Sequence, residues 1–158
     1  MDTLALLPFT SADARQQLLS DLASATETLA LALARLGAAY EQLDEDTSDR
    51  LEQQLFRPLQ RAYARAQRTH SEFSDRHGLP RRRFDAPSPG LESQGAGELI
   101  EKAADAIGEA DLAIGELQDS MLPVEVGDVE LRAGLAEVRT LIDTLPARAR
   151  GLVRTIGR

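Results

Sequence analysis

Apolar residues recur along this chain in steps of four and three, and they do so in four separate stretches. From about Ser11 to Leu43 the column is Leu18, Leu22, Ala25, Leu29, Ala32, Leu36, Ala39 and Leu43. Such spacing lays one apolar stripe along one face of a helix, with heptad character. A second stretch, about Ser48 to His77, carries Leu51, Leu55, Leu59, Ala62, Ala66, Thr69 and Phe73. Its phase slips near Pro58, where a helix must bend or restart with proline in its first turn. His77 and Gly78 then predict a helix stop with a left-handed glycine.

The third stretch, about Gly97 to Leu122, stacks Ile100, Ile107, Ile114 and Met121 seven apart, with Ala103, Ala110 and Leu117 between them. Its phrase IGEADLA-IGELQDS echoes itself after one heptad and places Gly108 and Gly115 on one side. An interior glycine costs about 1 kcal/mol relative to alanine, and close approach of a neighbouring helix is one reason to keep it. The fourth stretch, about Asp128 to Ile156, reads Leu131, Leu135, Val138, Ile142, Leu145, Ala149, Leu152 and Ile156, with Pro146 kinking it or starting a terminal piece. Asp128 is placed to cap it, and Ser11 or Asp13 to cap the first.

Short connections, Leu43 to Asp49 and Pro123 to Asp128, make each pair of stretches an antiparallel hairpin. The expected fold is all-α: four long amphipathic helices in two hairpins forming a four-helix bundle. One domain spans 1–158, with an arm at 1–10, a first hairpin at 11–77, a connecting loop at 78–96 and a second hairpin at 97–158. That loop, HGLPRRRFDAPSPGLESQGAG with its flanks, is rich in proline and glycine and has no apolar period. About 18 extended residues reach roughly 60 Å, whereas the helices are about 40 to 45 Å long. The second and third helices are therefore free to run parallel or antiparallel. Phe84 and Leu91 are the residues able to pin the loop to the helices.

One segment changes the picture of the first helix. TLALALARL, Thr28 to Leu36, is apolar on every side, and a helix apolar all round must be buried all round. It lies at the centre of the bundle or meets a second copy, so Leu29, Leu31, Leu33 and Leu36 form a candidate homodimer interface.

Charge follows the helices in blocks. Ser11 to Asp46 carries seven acids and two arginines, and Gly97 to Leu122 carries seven acids and one lysine. Arg50 to Arg83 carries nine arginines and three acids, and Asp128 to Arg158 six arginines and four acids. If each helix touches its sequence neighbours, every adjacent pair is oppositely charged. Arg57, Arg61, Arg65 and Arg68 form one stripe, and Arg81, Arg82 and Arg83 follow where the second helix ends. These seven are the candidate partner-binding residues. The competing readings are a flank paired with an acidic helix and, for the three loop arginines, a cap on the negative pole of that helix. The arginines of ARARGLVRTIGR either end the last helix or lie on an anionic membrane.

The chemistry is sparse. Without cysteine there is no disulfide or thiolate site. His70 and His77 lie about 10.5 Å apart along a helix, too far to share a metal. They read as a flanking residue and a C-terminal cap. Tyr40 and Tyr63 read as core residues with a polar tip, and Thr69 as the one clear polar residue at a core position. No nucleophile elbow or phosphate loop occurs. No catalytic residue, cofactor or metal is expected.

The absence of a basic leader or a long apolar run predicts a cytoplasmic protein with no transmembrane segment. Arginine in place of lysine suggests a GC-rich bacterial source. A net charge of −8 argues against nucleic-acid binding. The functional expectation is a non-enzymatic protein–protein interaction module: an adaptor, scaffold or small regulatory bundle. The alternatives are a bundle holding a small ligand or metal in its core, and a binder of anionic membrane or nucleic acid through its arginine-rich faces.

Overall fold

The computed structural model describes residues 10–90 and 93–156. It is all-helical, with no strand among the described residues. In chain order the elements are α1 (Ser11–Tyr40), α2 (Glu45–Leu51), a π turn (Glu52–Phe56), α3 (Arg57–Arg76), α4 (Ala96–Asp119), α5 (Leu122–Glu125), α6 (Val129–Ile142) and α7 (Leu145–Ile156).

The ends of these helices follow from local chemistry. Thr10, not Ser11, caps α1: its hydroxyl accepts from the Asp13 N–H at 3.1 Å while the Asp13 carboxylate accepts from the Thr10 N–H. Asp13 is thus the returning partner of a capping box and not the cap itself. α1 stops before Leu43 because Asp44 turns extended and accepts from the Thr47 N–H at 2.8 Å, starting α2. Pro58 neither stops the second rod nor kinks it into two. A π turn widens the helix just ahead of it, and the proline sits in the first turn of α3. Gln54, four residues before Pro58, loses its α-helical N–H partner, and its carbonyl accepts from Arg148 of α7 at 3.1 Å.

α3 ends as the sequence predicts. Gly78 is left-handed at φ 65°, and the Leu79 and Gly78 N–H groups return to the Ser74 and Asp75 carbonyls. α4, by contrast, ends a turn short. Met121 takes a left-handed conformation at φ 70° and is exposed, so it leaves the isoleucine column. The cause is Pro123, which fits the first turn of α5 but not the interior of a continuing helix. Pro146 likewise opens a separate α7.

The buried columns match the periodic ones, apart from Met121 and the half-buried Leu43 and Ile156 at the ends. The helices meet in a different order from the one expected. α1 packs most extensively on α4, α3 on α6, α4 on α7, and α1 on α3. Arg35 of α1 donates to the Lys102 carbonyl near the start of α4, and Arg15 to the Val126 carbonyl beyond its end. These two bonds make α1 and α4 antiparallel. α1 is antiparallel to α3 as well, with Leu19 beside His70 and Tyr40 beside Phe56. α3 and α4 therefore run parallel.

Opposite charge between all neighbours is thereby overturned, because the largest contact joins two acidic helices. Their shared interface is apolar, and the carboxylates of Glu98, Glu101, Asp105, Glu109 and Glu116 face solvent. Repulsion across water is worth tenths of a kcal/mol, whereas each buried leucine or isoleucine contributes about 1.5–3 kcal/mol. The apolar girth of α1 is spent in the same way. Leu29 and Leu36 are fully buried inside the chain's own core, while Leu31 and Leu33 are half-buried. Leu29 and Leu36 thus have no surface left for a second copy.

The close helix approach lies at Gly134, not at Gly108 or Gly115. A methyl group at Gly108 would meet nothing, and Gly115 leaves room for the Arg139 guanidinium, which bonds Asp111 at 2.8 Å and Gln118 at 2.9 Å. At Gly134 an added Cβ would press into Thr69 of α3, within 2.8 Å of its Cγ2 and nearer still to its hydroxyl. We expect Gly134→Ala to destabilise the fold by about 1–3 kcal/mol through overpacking. Adding Thr69→Ala should recover most of the loss in a double-mutant cycle read by urea denaturation.

The same pair of helices is clasped at one end by Asp128. Its carboxylate accepts two bonds from Arg76, one from the Leu131 N–H, and lies 3.0 Å from His77 Nε2. Partial burial alone would raise its pKa, but Arg76, the Leu131 N–H and His77 outweigh that and hold it at about 2. The unfolded carboxyl titrates near 3.8, so the ionised form stabilises the fold fully above that pH and loses its effect as pH falls to about 2. Asp128→Asn should cost about 2 kcal/mol at pH 7 in thermal or urea melts, a difference that vanishes near pH 2.

Candidate functional site

The non-helical strap after Gly78 decides where charged groups converge. Since α3 and α4 run parallel, the strap must return along the length of the molecule to start α4, and it does so over α1 and α3. Leu79 seats on the core. Arg81 bonds Asp75 in a two-pronged pair, with the shorter contact at 2.6 Å. Arg82 reaches across to Glu27 of α1 and lies 5.5 Å above the Phe84 ring. Phe84 in turn sets its ring edge-on to His70, centroids 5.5 Å apart at 87°. Lower down, the Gln94 carbonyl accepts from Gln42 at the end of α1. Phe84 thus pins the strap; Leu91 lies outside the described residues.

His70 is not the flanking residue its position suggested. It is only 3% exposed, follows Thr69 on the side of α3 that faces α1 and the strap, and its Nδ1 has no hydrogen-bond partner among the described residues. Burial pushes its pKa down, the Arg82 charge pushes it further, and the Leu19 carbonyl partly opposes both. Ser74 and Thr26, also buried, satisfy their hydroxyls on the carbonyls four residues back. Tyr40 is exposed, against expectation, and with Gly37 and Phe56 borders an open groove of about 420 Å³. Tyr63 is half-buried and accepts from Gln67 at 3.3 Å; burial, then the nearby Asp85 carboxylate, raises its pKa.

The seven candidate arginines divide cleanly. Arg57 is held by Glu52 across the π turn, Arg65 by Glu137 of α6, Arg81 by Asp75 and Arg82 by Glu27. None of the loop arginines caps α3, because the Gly78 and Leu79 N–H groups already take its final carbonyls. Arg61, Arg68 and Arg83 are exposed and make no ion pair with a described residue. The strap carries Arg83 to Arg68, where both border a shallow cleft of about 460 Å³ with Arg82, Gln67, Ser71, Ala64 and Phe84. Among the C-terminal arginines, Arg150 pairs with Asp105 at 3.3 Å, and Arg148 serves the π turn.

This cleft offers guanidinium and amide donors around an aromatic wall, open to solvent. It suits recognition of a carboxylate-bearing surface by charge-assisted hydrogen bonds. No described helix is long and apolar enough to cross a membrane. No family model matches the chain, and no curated protein or solved structure matches it.

Phe84 anchors the middle of the strap against His70, so its removal should free that part without melting the helices. For Phe84→Ala we expect tryptic cleavage at Arg81–Arg83 to quicken roughly tenfold, with an unchanged far-UV circular dichroism spectrum.

Proposed function

We propose that this chain is a non-enzymatic protein–protein interaction module: a four-helix bundle of two hairpins that presents a basic face to an acidic protein partner. The rods are α1, the α2–π–α3 column, α4, and the α6–α7 column, with the Pro/Gly-rich strap joining the middle two. One observation carries the functional reading. Arg68 and Arg83 come from separate segments, meet at the strap crossing, and remain without a carboxylate partner among the described residues. Arg61 extends the same outward face about two turns along α3, following the helical spacing. Intramolecular pairing occupies the other arginines of the group, so this face is where charge is left to recognise something else.

The acidic stretch of α4 supports a protein partner over a nucleic acid or a bare anionic membrane. Overall charge of −8 repels an extended polyanion, while a local patch still recognises a discrete carboxylate surface. A second copy of the chain is one such partner, because its exposed α4 carboxylates carry the complementary sign. The setting proposed is the bacterial cytoplasm.

The test is affinity capture from the native host with wild-type protein and with the triple charge reversal Arg61→Glu, Arg68→Glu, Arg83→Glu. The reversal should lower recovery of a specific partner at least about tenfold, and added salt should lower it in the wild type. Capture that ignores both changes would remove the basic face from consideration. Salt-sensitive co-sedimentation with anionic vesicles or DNA would favour the anionic-surface alternative instead.

A further inference from the structure

We propose that His70 is a proton-operated latch on the strap: its neutral ring lets Phe84 and Arg82 close over α1 and α3, and protonation releases them. This rests on the reading above only in its consequence, since the strap carries Arg83 to Arg68 and its release would dismantle the basic face.

The argument begins with what surrounds the ring. From α1 it meets Leu19 and, around a cavity of about 240 Å³, Gln16, Ser20 and Ala23, none of them charged. From the strap it meets Pro80, Arg81, Arg82 and the edge of Phe84. Arg81 is bound to Asp75 and Arg82 to Glu27, so both nearby carboxylates are already engaged by guanidinium groups. On its own helix the neighbouring buried groups are Thr69, Phe73 and Ser74. No carboxylate contacts the imidazole among the described residues, and no acceptor meets Nδ1.

The Leu19 carbonyl gives the ring one backbone partner on α1, but a purely structural filler has no need of the second nitrogen, Nδ1. A buried polar atom without a partner weakens a fold, and phenylalanine or leucine would pack against Phe84 without that loss. What histidine adds is titration. Once protonated, the ring has a second N–H to satisfy and a positive charge beside Arg82, with no carboxylate of a described residue in contact to balance it. The strap is the element able to yield. Its backbone makes few hydrogen bonds, and it is held by two exposed ion pairs, Leu79 and Phe84. Lifting it hydrates both cations at once.

The sign of the effect follows from linkage. Burial and Arg82 hold the folded pKa of His70 below the 6.5 of the free side chain. The closed state is therefore fully favoured above pH 6.5 and loses ground as pH falls below it. The Arg81 hydrogen bonds hold the Asp75 carboxyl below the usual carboxylate range near pH 4, so an opening triggered by Asp75 would come at distinctly lower pH.

The chain has no cysteine, so spin labels can be placed only where wanted, on full-length protein carrying Ser24→Cys in α1 and Ala86→Cys in the strap. Both positions are exposed. Between pH 7.5 and pH 5 the label separation should lengthen and broaden by roughly a helix diameter, about 10 Å, while the helical circular dichroism stays constant. His70→Phe, which keeps a neutral ring, should hold the short distance at both pH values, and His70→Gln provides a second neutral side chain if the phenylalanine variant packs poorly. A wild-type distance unchanged down to pH 5 would overturn the latch. So would identical opening in wild type and both variants, which would assign the response to carboxylates. Because the readout contains no partner, failure of the basic face to bind anything leaves this result intact, and failure of the latch leaves the binding test intact.

Discussion

The seam between α1 and α4 is the constraint on which the other placements depend. Two helices of like charge lie against each other along their length because alanine and leucine columns fill the contact and the carboxylates remain in water. Apolar burial is large and unscreened, whereas repulsion between solvated charges is small. With α1 antiparallel to both α3 and α4, those two must run parallel, and a short turn cannot join parallel helices end to end. The long strap is the covalent consequence of that seam.

The path of the strap then creates most of what is chemically distinctive. It crosses the α1–α3 groove, closes over His70 and spends two of its three arginines on Asp75 and Glu27. The third is delivered to Arg68. A loop that would otherwise be a passive connection thereby buries a titratable ring and assembles a patch of positive charge with no carboxylate partner among the described residues. The opposite pair, α3 with α6, needs no strap. It is drawn close by Gly134 against Thr69 and held at its end by Asp128 with Arg76 and His77.

Much of the core was readable from spacing alone, because a residue's place in a 3.6-residue period states which way it faces. The failures fall where the period stops being the controlling quantity. Met121 keeps the heptad register but loses its place because Pro123 ends the helix around it. Thr10 is not marked as a cap by the pattern because the box it forms with Asp13 starts one residue before the helical stretch expected from Ser11 and well before the apolar column begins at Leu18. Gly115 has the sequence look of a close-packing glycine, yet it accommodates a guanidinium, while Gly134 carries no repeat to mark it. His70 stands next to a core position, and only the arrival of the strap turns that flank into an interior.

Local properties of the chain by themselves determined the helices, their apolar faces, the stop at Gly78, the cap at Asp128 and the block distribution of charge. Each depends on residues within a turn or two of one another. Tertiary structure alone decided which helix lies beside which, the parallel course of α3 and α4, the burial of His70, and which arginines pair with a described carboxylate. These depend on groups tens of residues apart, whose meeting is settled by the total apolar area each arrangement removes from water. Helix-by-helix charge cannot predict that outcome, since it is the weaker of the two forces.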